Sequence, residues 1–269
     1  MDETRSLPIL RITEQDRSEV EDLVVREFPL TVILNNQELV TLLCTPKDLK
    51  YLAVGFLASE GLIKSKEEIK SVTIDEKRGV ARVDTREGRE VAPELISKRL
   101  ITSGCGGGVA FYRAADAVDG FRVQARTEIA AAEVFALARE FQHRSEVYRA
   151  TGGVHAAALS NSREMLVFAE DIGRHNAIDK IFGECLLNDI SPDGLIAITS
   201  GRITSEILLK IARRNVPIVI SKSAPTDLAV DLANRLGVTL IGFVRGRRMN
   251  VYADGWRVNA PEVLEGKAK

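Results

Sequence analysis

From residue 154 to 244 the chain alternates between short runs rich in β-branched and apolar residues and longer stretches with apolar residues at helical spacing. The runs are VHAAAL (154–159), EMLVFAE (164–170), LIAITS (195–200), PIVIS (217–221) and VTLIGFV (238–244). Between the last four lie helical patterns: RHNAIDKIFGECLL (174–187), TSEILLKIARR (204–214) and PTDLAVDLANRL (225–236). A chain that alternates in this way predicts a parallel or mixed sheet with helices packed over it. That pattern limits the fold class to α/β more strongly than any other feature.

The first half reads differently. After a charged, mobile start, VVREF (24–28), LTVIL (30–34) and LVTLLC (39–44) are extended runs, the last two joined by the polar pair Asn35-Asn36, which predicts a hairpin. Thr45-Pro46-Lys47-Asp48 supplies a cap, a proline and an acid, opening a helix that stops at Gly61. Two strands follow, IKSVTI (69–74) and VARVD (80–84), around a turn from Asp75 to Gly79. A long helix over 127–150 connects to the alternating half. The expected organisation is a β-rich lobe over 1–126, ending in a glycine loop around Cys105, and an α/β cofactor-binding domain over 127–269.

Lys and Arg (37) nearly cancel Asp and Glu (38), so no overall field of one sign points to nucleic acid or a membrane surface as partner. The three cysteines, Cys44, Cys105 and Cys185, match neither a disulfide framework nor a paired zinc-ligand motif. With no signal-like start and no apolar run near about 18 residues, a cytoplasmic location is expected.

In open α/β sheets ligands bind beyond the strand ends, where loops enter helix N-termini whose free amides attract anions. Four loops suit that place. One runs from Glu170 through Arg174 and His175, the next from Thr199 through Ser200 to Arg202, and a third contains Ser221, Lys222 and Ser223. The last, Phe243-Val244-Arg245-Gly246-Arg247-Arg248, sets three guanidinium groups around a glycine, and such forks match phosphate oxygens. Each loop alone is equally an ordinary helix start or surface turn. His155 and His175 are candidates to relay protons or to orient a neighbour, and either could instead be structural.

Cys105 lies in Thr102-Ser103-Gly104-Cys105-Gly106-Gly107-Gly108, a stretch with little side-chain bulk in which a sulfur can reach another molecule. Cys44 and Cys185 fall on apolar faces and read as core residues. The pattern around Cys105 suits a nucleophile, a sulfur carrier or a redox sensor, and does not choose among them.

Taken together, FPLTVILNN (28–36), FLASEGLI (56–63), TSGCGGG (102–108), TGGVHAAAL (151–159), EDIGRHNAIDKIFG (170–183), the stretch 199–233 and GFVRGRRMNVY (242–252) resemble the FdhD family of formate dehydrogenase accessory sulfurtransferases. The resemblance implies a cytidine deaminase-like three-layer α/β fold and a homodimer. It implies a persulfide on Cys105, loaded by a cysteine desulfurase of the IscS type. The sulfur would then pass to a molybdenum or tungsten bis(molybdopterin guanine dinucleotide) cofactor bound at Phe243 to Arg248, before that cofactor enters formate dehydrogenase. Many members carry CxxC in this loop, whereas here glycine stands at 108. A mechanism needing a second loop cysteine is therefore in doubt. Two rivals remain. A zinc deaminase needs H-x-E and P-C-x-x-C segments, which this chain lacks, so zinc is not expected. A non-catalytic chaperone would hold the cofactor through the arginine loop with Cys105 incidental.

Overall fold

The structure is a computed structural model that describes residues 2–87, 100–101 and 121–260. Cys105 and the glycines around it lie outside the described residues, as does Gly108.

The first lobe is a five-stranded sheet in the order β5-β6-β3-β4-β7. Its strands are β3 (Phe28–Leu34), β4 (Gln37–Cys44), β5 (Ile69–Asp75), β6 (Val80–Thr85) and β7 (Leu100–Ile101). The hairpin expected around Asn35-Asn36 is β3–β4, and both asparagines take positive φ, 48° and 67°, as its two-residue turn requires. The helix α1 (Leu49–Ser59) covers this sheet, with Leu52, Val54 and Leu57 wholly buried among Leu30, Val32 and Val83. It ends at Gly61, where Leu62 N–H reaches Leu57 O (2.9 Å) and Gly61 N–H reaches Ala58 O (3.3 Å) at a φ of +75°.

Three local expectations need correction. Thr45 does not cap α1: the residue before the helix is Asp48, in a left-handed conformation with no side-chain cap bond, because Thr45 is engaged elsewhere in the core. The charged start forms regular structure: β1 (Thr4–Ile12) and β2 (Arg17–Val25) pair antiparallel over nine residues and put charges on the open faces. Arg26 Nε to Thr4 O (3.1 Å) closes the ribbon's open end, and Lys47 to Glu3 (3.2 Å) links it to the segment before α1. The long connecting helix is broken. A two-residue strand β8 (Ile129–Ala130) leads into α2 (Ala131–Arg144), which stops at Ser145 (ψ 74°) before the short α3 (Glu146–Thr151). The Ser145 hydroxyl donates back to Phe141 O, and Glu170 accepts the Val147 and Tyr148 N–H groups at the new helix start.

The second lobe is a six-stranded mixed sheet in the order β10-β9-β11-β12-β13-β14. Its strands are β9 (His155–Ser160), β10 (Met165–Asp171), β11 (Ile196–Thr199), β12 (Ile218–Ser221), β13 (Thr239–Arg245) and β14 (Arg248–Ala253). β11, β12 and β13 are parallel; β9, β10 and β14 run against their neighbours. Between them come α4 (Arg174–Leu187), α5 (Ser205–Ala212) and α6 (Asp227–Leu236), and β15 (Val258–Asn259) pairs with β8. Alternation splits each strand between two cores. Ala157, Ala197, Val219 and Leu240 face α4, α5 and α6, while Ile198, Ile220 and Ile241 face Val134, Leu137 and Phe141 of α2. From Val123 onward the chain packs with this lobe.

The lobes meet where α1 crosses α4. A Cβ placed on Gly55 would stand 1.8 Å from Asp179 O, and one on Gly183 would stand 1.9 Å from Tyr51 O, so backbone touches backbone there. Beside this crossing, Lys180 Nζ lies 2.8 Å from Asp171 Oδ2, with both side chains fully buried. Lys180 also donates to Thr45 Oγ1 (2.7 Å) and Glu170 O (3.0 Å). Asp171 accepts from Thr45 N, Gly173 N and Asn176 Nδ2, and the same Asn176 amide donates to Leu43 O. Every charge in this cluster is matched by hydrogen bonds, which a buried ion pair needs to offset its desolvation.

Candidate anion-binding cleft

Because β9 runs antiparallel to β10 and β11, its first residue, His155, pairs with Asp171 at the end of β10 and lies beside the end of β11. The same edge of the sheet carries the ends of β12 and β13. Loops far apart in sequence are thereby brought to one place. They surround a cleft of about 560 Å³ lined by His155, Ser200, Lys222, Ser223 and Arg245, with Phe141, Val154 and Ile172 as its apolar walls. Gln142, Ser145 and Tyr148 contribute from the broken α2–α3 helix, and Gly152 and Gly153 from the turn before β9. Among the described residues no carboxylate lines the cleft.

The polar geometry is set by short loops. Ser200 Oγ accepts the Ala156 N–H (2.9 Å) and stands 3.3 Å from His155 Nδ1. Gly201 packs closely beside them, since a Cβ there would come within 3.0 Å of the Arg174 Cβ. Ser221 is fully buried; its hydroxyl donates to Gly201 O (2.8 Å) and accepts the Ser223 N–H (2.9 Å), holding two of the loops together. Lys222 Nζ donates to Gln142 Oε1 (2.8 Å). Burial, then the neighbouring Arg245, pushes the Lys222 ammonium below its usual range. Burial, then the Arg174 and Arg202 guanidiniums, likewise pushes His155 below the usual histidine value, which favours the neutral ring. An anion placed here would relieve these like-charge costs.

The arginine loop is divided by its own geometry. A bulge at the end of β13 gives Phe243 a φ of +52°, rare for an aromatic residue, and sets Arg245 5.6 Å from the Phe243 ring centre. Gly242 permits this, as a Cβ on it would meet Ser223 O at 3.0 Å. Val244 is buried in the core, and Gly246 (φ +58°) turns the chain so that Arg247 and Arg248 are exposed outside the cleft lining. His175 also lies apart, its Nε2 3.2 Å from Glu206 Oε2, and it lowers the Glu206 carboxyl. The side chains of Phe141, Gln142 and Tyr148 had no signature in the sequence. Phe141 and Gln142 come from the end of α2, and Tyr148 from α3 beyond the break at Ser145.

Cys44 and Cys185 are buried, and burial pushes both thiols up, that of Cys185 to about 12. Neither is a thiolate near neutral pH. Among the described residues no group of three or more His, Cys, Asp or Glu side chains is placed to hold a metal ion. Among the same residues no helix is long and apolar enough to cross a membrane.

Comparison with known proteins agrees along nearly the whole chain. It is 46% identical over 250 residues to the sulfur carrier protein FdhD of Bacillus subtilis, covering 93% of this chain and 95% of that one. It is 40% identical over 251 residues to the sulfur carrier protein FdhD of a Staphylococcus aureus strain, covering 93% and 95%. A crystal structure described as a formate dehydrogenase accessory protein of Desulfotalea psychrophila superposes with a TM-score of 0.78 at 29% identity, covering 96% of this chain and 100% of the other. With residues 25–259 matching the FdhD/NarQ family, the chain belongs to that family.

Proposed function

We propose that this protein is a sulfur carrier that serves formate dehydrogenase maturation, taking persulfide sulfur on Cys105 and donating it to a bound molybdenum bis(molybdopterin guanine dinucleotide). The observation that carries the proposal is the cleft: cations from two strand ends, an apolar wall and, among the described residues, no carboxylate, on the edge of the sheet where α/β folds bind nucleotides. A pterin dinucleotide presents phosphates and flat rings, which suit Lys222 and Arg245 on one side and Phe141, Ile172 and Tyr148 on the other. Cys105 lies outside the described residues, but Cys44 and Cys185 are sealed in the two cores and held as thiols, which leaves Cys105 as the carrier.

Sulfur donation then needs one thiol. The reduced metal of the cargo attacks the outer sulfur of the Cys105 persulfide, and the S–S bond breaks. That sulfur gains two electrons as sulfide, the metal loses two, and Cys105 leaves as thiolate. A disulfide-forming partner at position 108 has no part in this balance.

Incubation with a cysteine desulfurase and cysteine should add one sulfur to the wild-type protein and none to Cys105→Ala, read by mass spectrometry. Nucleotide binding without sulfur uptake would instead establish a cofactor chaperone. Calorimetry with GDP as probe tests the cleft. Arg245→Ala should weaken binding about ten- to a hundred-fold, as expected for a lost charge-assisted hydrogen bond, with smaller losses for Arg247→Ala and Arg248→Ala. Equal affinity for Arg245→Ala would place the nucleotide elsewhere.

A further inference from the structure

His155 and Ser200 occupy the wall of the cleft as a pair, and the cleft's cations do not by themselves explain a histidine there. The Ser200 hydroxyl accepts the Ala156 N–H and stands 3.3 Å from His155 Nδ1, to which it donates when the neutral ring carries its proton on Nε2. Among the described residues the Nε2 atom has no hydrogen-bond partner. The pair can reverse. If the ring gains a proton, Nδ1–H donates to Ser200 Oγ, and the serine proton is released toward the cleft. Protonation thus frees one donor toward the cleft, the Ser200 hydroxyl, and adds a positive charge beside the existing Nε2–H.

We propose that His155 and Ser200 form a proton-uptake element of the anion site: the imidazole is neutral before a phosphoryl-class anion enters and takes a proton from water as that anion binds. The inference rests on the reading of the cleft as the cofactor's anion site. The charges that face His155 account for the coupling. Arg174 and Arg202, with a smaller contribution from the His175 ring, disfavour a charged His155; Asp171 favours it but is already paired with Lys180. Lys222 and Arg245 share the cleft lining and add to the positive field. A dianion between these groups offsets much of the positive local field, and the ring's proton affinity rises with it. Among the described residues the cleft lining contains no carboxylate, and the acid that acts on the ring, Asp171, is already paired with Lys180.

The consequence for binding has a definite sign. The anion-bound form holds the proton more tightly than the free form. Affinity is therefore highest at a pH below the free-form value and falls as pH rises through the bound-form value, by up to about tenfold per pH unit between the two.

The chain has three histidines, His143, His155 and His175, so their ring signals can be followed individually by NMR and assigned with His143→Gln, His155→Asn and His175→Gln. Sulfate is a suitable probe because it carries no proton that titrates near neutral pH, so any proton taken up belongs to the protein. GDP serves as a second, tighter probe. The expected result is a His155 midpoint that rises by at least about one pH unit with saturating sulfate, with the other two rings unmoved. Sulfate affinity should fall with pH for wild type and become flat for His155→Asn, whose amide can keep the bond to Ser200. Binding of sulfate and GDP with a stationary His155 midpoint would overturn the inference and leave the cofactor site intact. Failure of the wild-type protein to bind either probe at any pH would overturn both.

Discussion

At the scale of single residues, side chains of one type differ by what surrounds them. Of three cysteines, two are sealed in apolar cores; of three histidines, one lies in a cation-lined cleft and another pairs with Glu206. Lys180 is a sharper case. Its fully buried ammonium neutralises Asp171, and removing it leaves a buried carboxylate without its counter-ion. Lys180→Met should cost about 3–5 kcal/mol of stability in urea denaturation, against less than about 0.5 kcal/mol for the exposed Lys50→Met. Nothing in the sequence marked Lys180, because a lysine within a helical stretch reads as a solvated charge. The glycine setting of Cys105, by contrast, was visible in the sequence, since that signal needs no tertiary context.

At the scale of elements, periodicity served well where one face of an element is buried and failed where tertiary contacts decide. The helix over 174–187, the hairpin at Asn35-Asn36 and the strand starts from 155 onward follow directly from apolar spacing. The break at Ser145 does not. Good helix formers continue through it, and Glu170, reaching from β10 to the Val147 and Tyr148 amides, supports a second helix start there. Glu170→Ala should loosen α3 and so the cleft wall that bears Tyr148, seen as faster amide exchange at 147–151 and weaker GDP binding. Unchanged exchange would show that Ser145 alone sets the break. Gly55 and Gly183 were equally silent, for a glycine within a helical pattern has no local sign of what it touches. Gly183→Ala should destabilise by about 1–3 kcal/mol or more, measured in urea, because its methyl would meet the Tyr51 carbonyl rather than a movable side chain.

At the scale of the whole molecule, a nearly neutral chain concentrates cations at one end of one sheet. The net charge of −1 gave no hint of this, since Lys222, Arg245, Arg174 and Arg202 come from loops that only the sheet order unites. The strand–helix alternation did identify those loops as strand ends. It did not reveal that β9 runs the other way, which is what brings His155 to them. GDP binding should weaken as ionic strength rises from about 0.01 M to about 0.15 M, while the screening length shortens from about 30 Å to about 8 Å. An affinity independent of salt would mean that ring contacts, not charge, hold the nucleotide.

The backbone contact between α1 and α4 also bears on how the protein is made. The sheet of the first lobe and its helix leave the ribosome long before Gly183 is synthesised, so the flank that α4 covers, together with Thr45, has to wait for a distant part of the chain. Until then the nascent lobe exposes a small-residue groove and an unmatched polar end. Its completion is thus tied to synthesis of the cleft-bearing lobe, and a truncated chain ending before α4 should be cleared or aggregate rather than persist as a folded half.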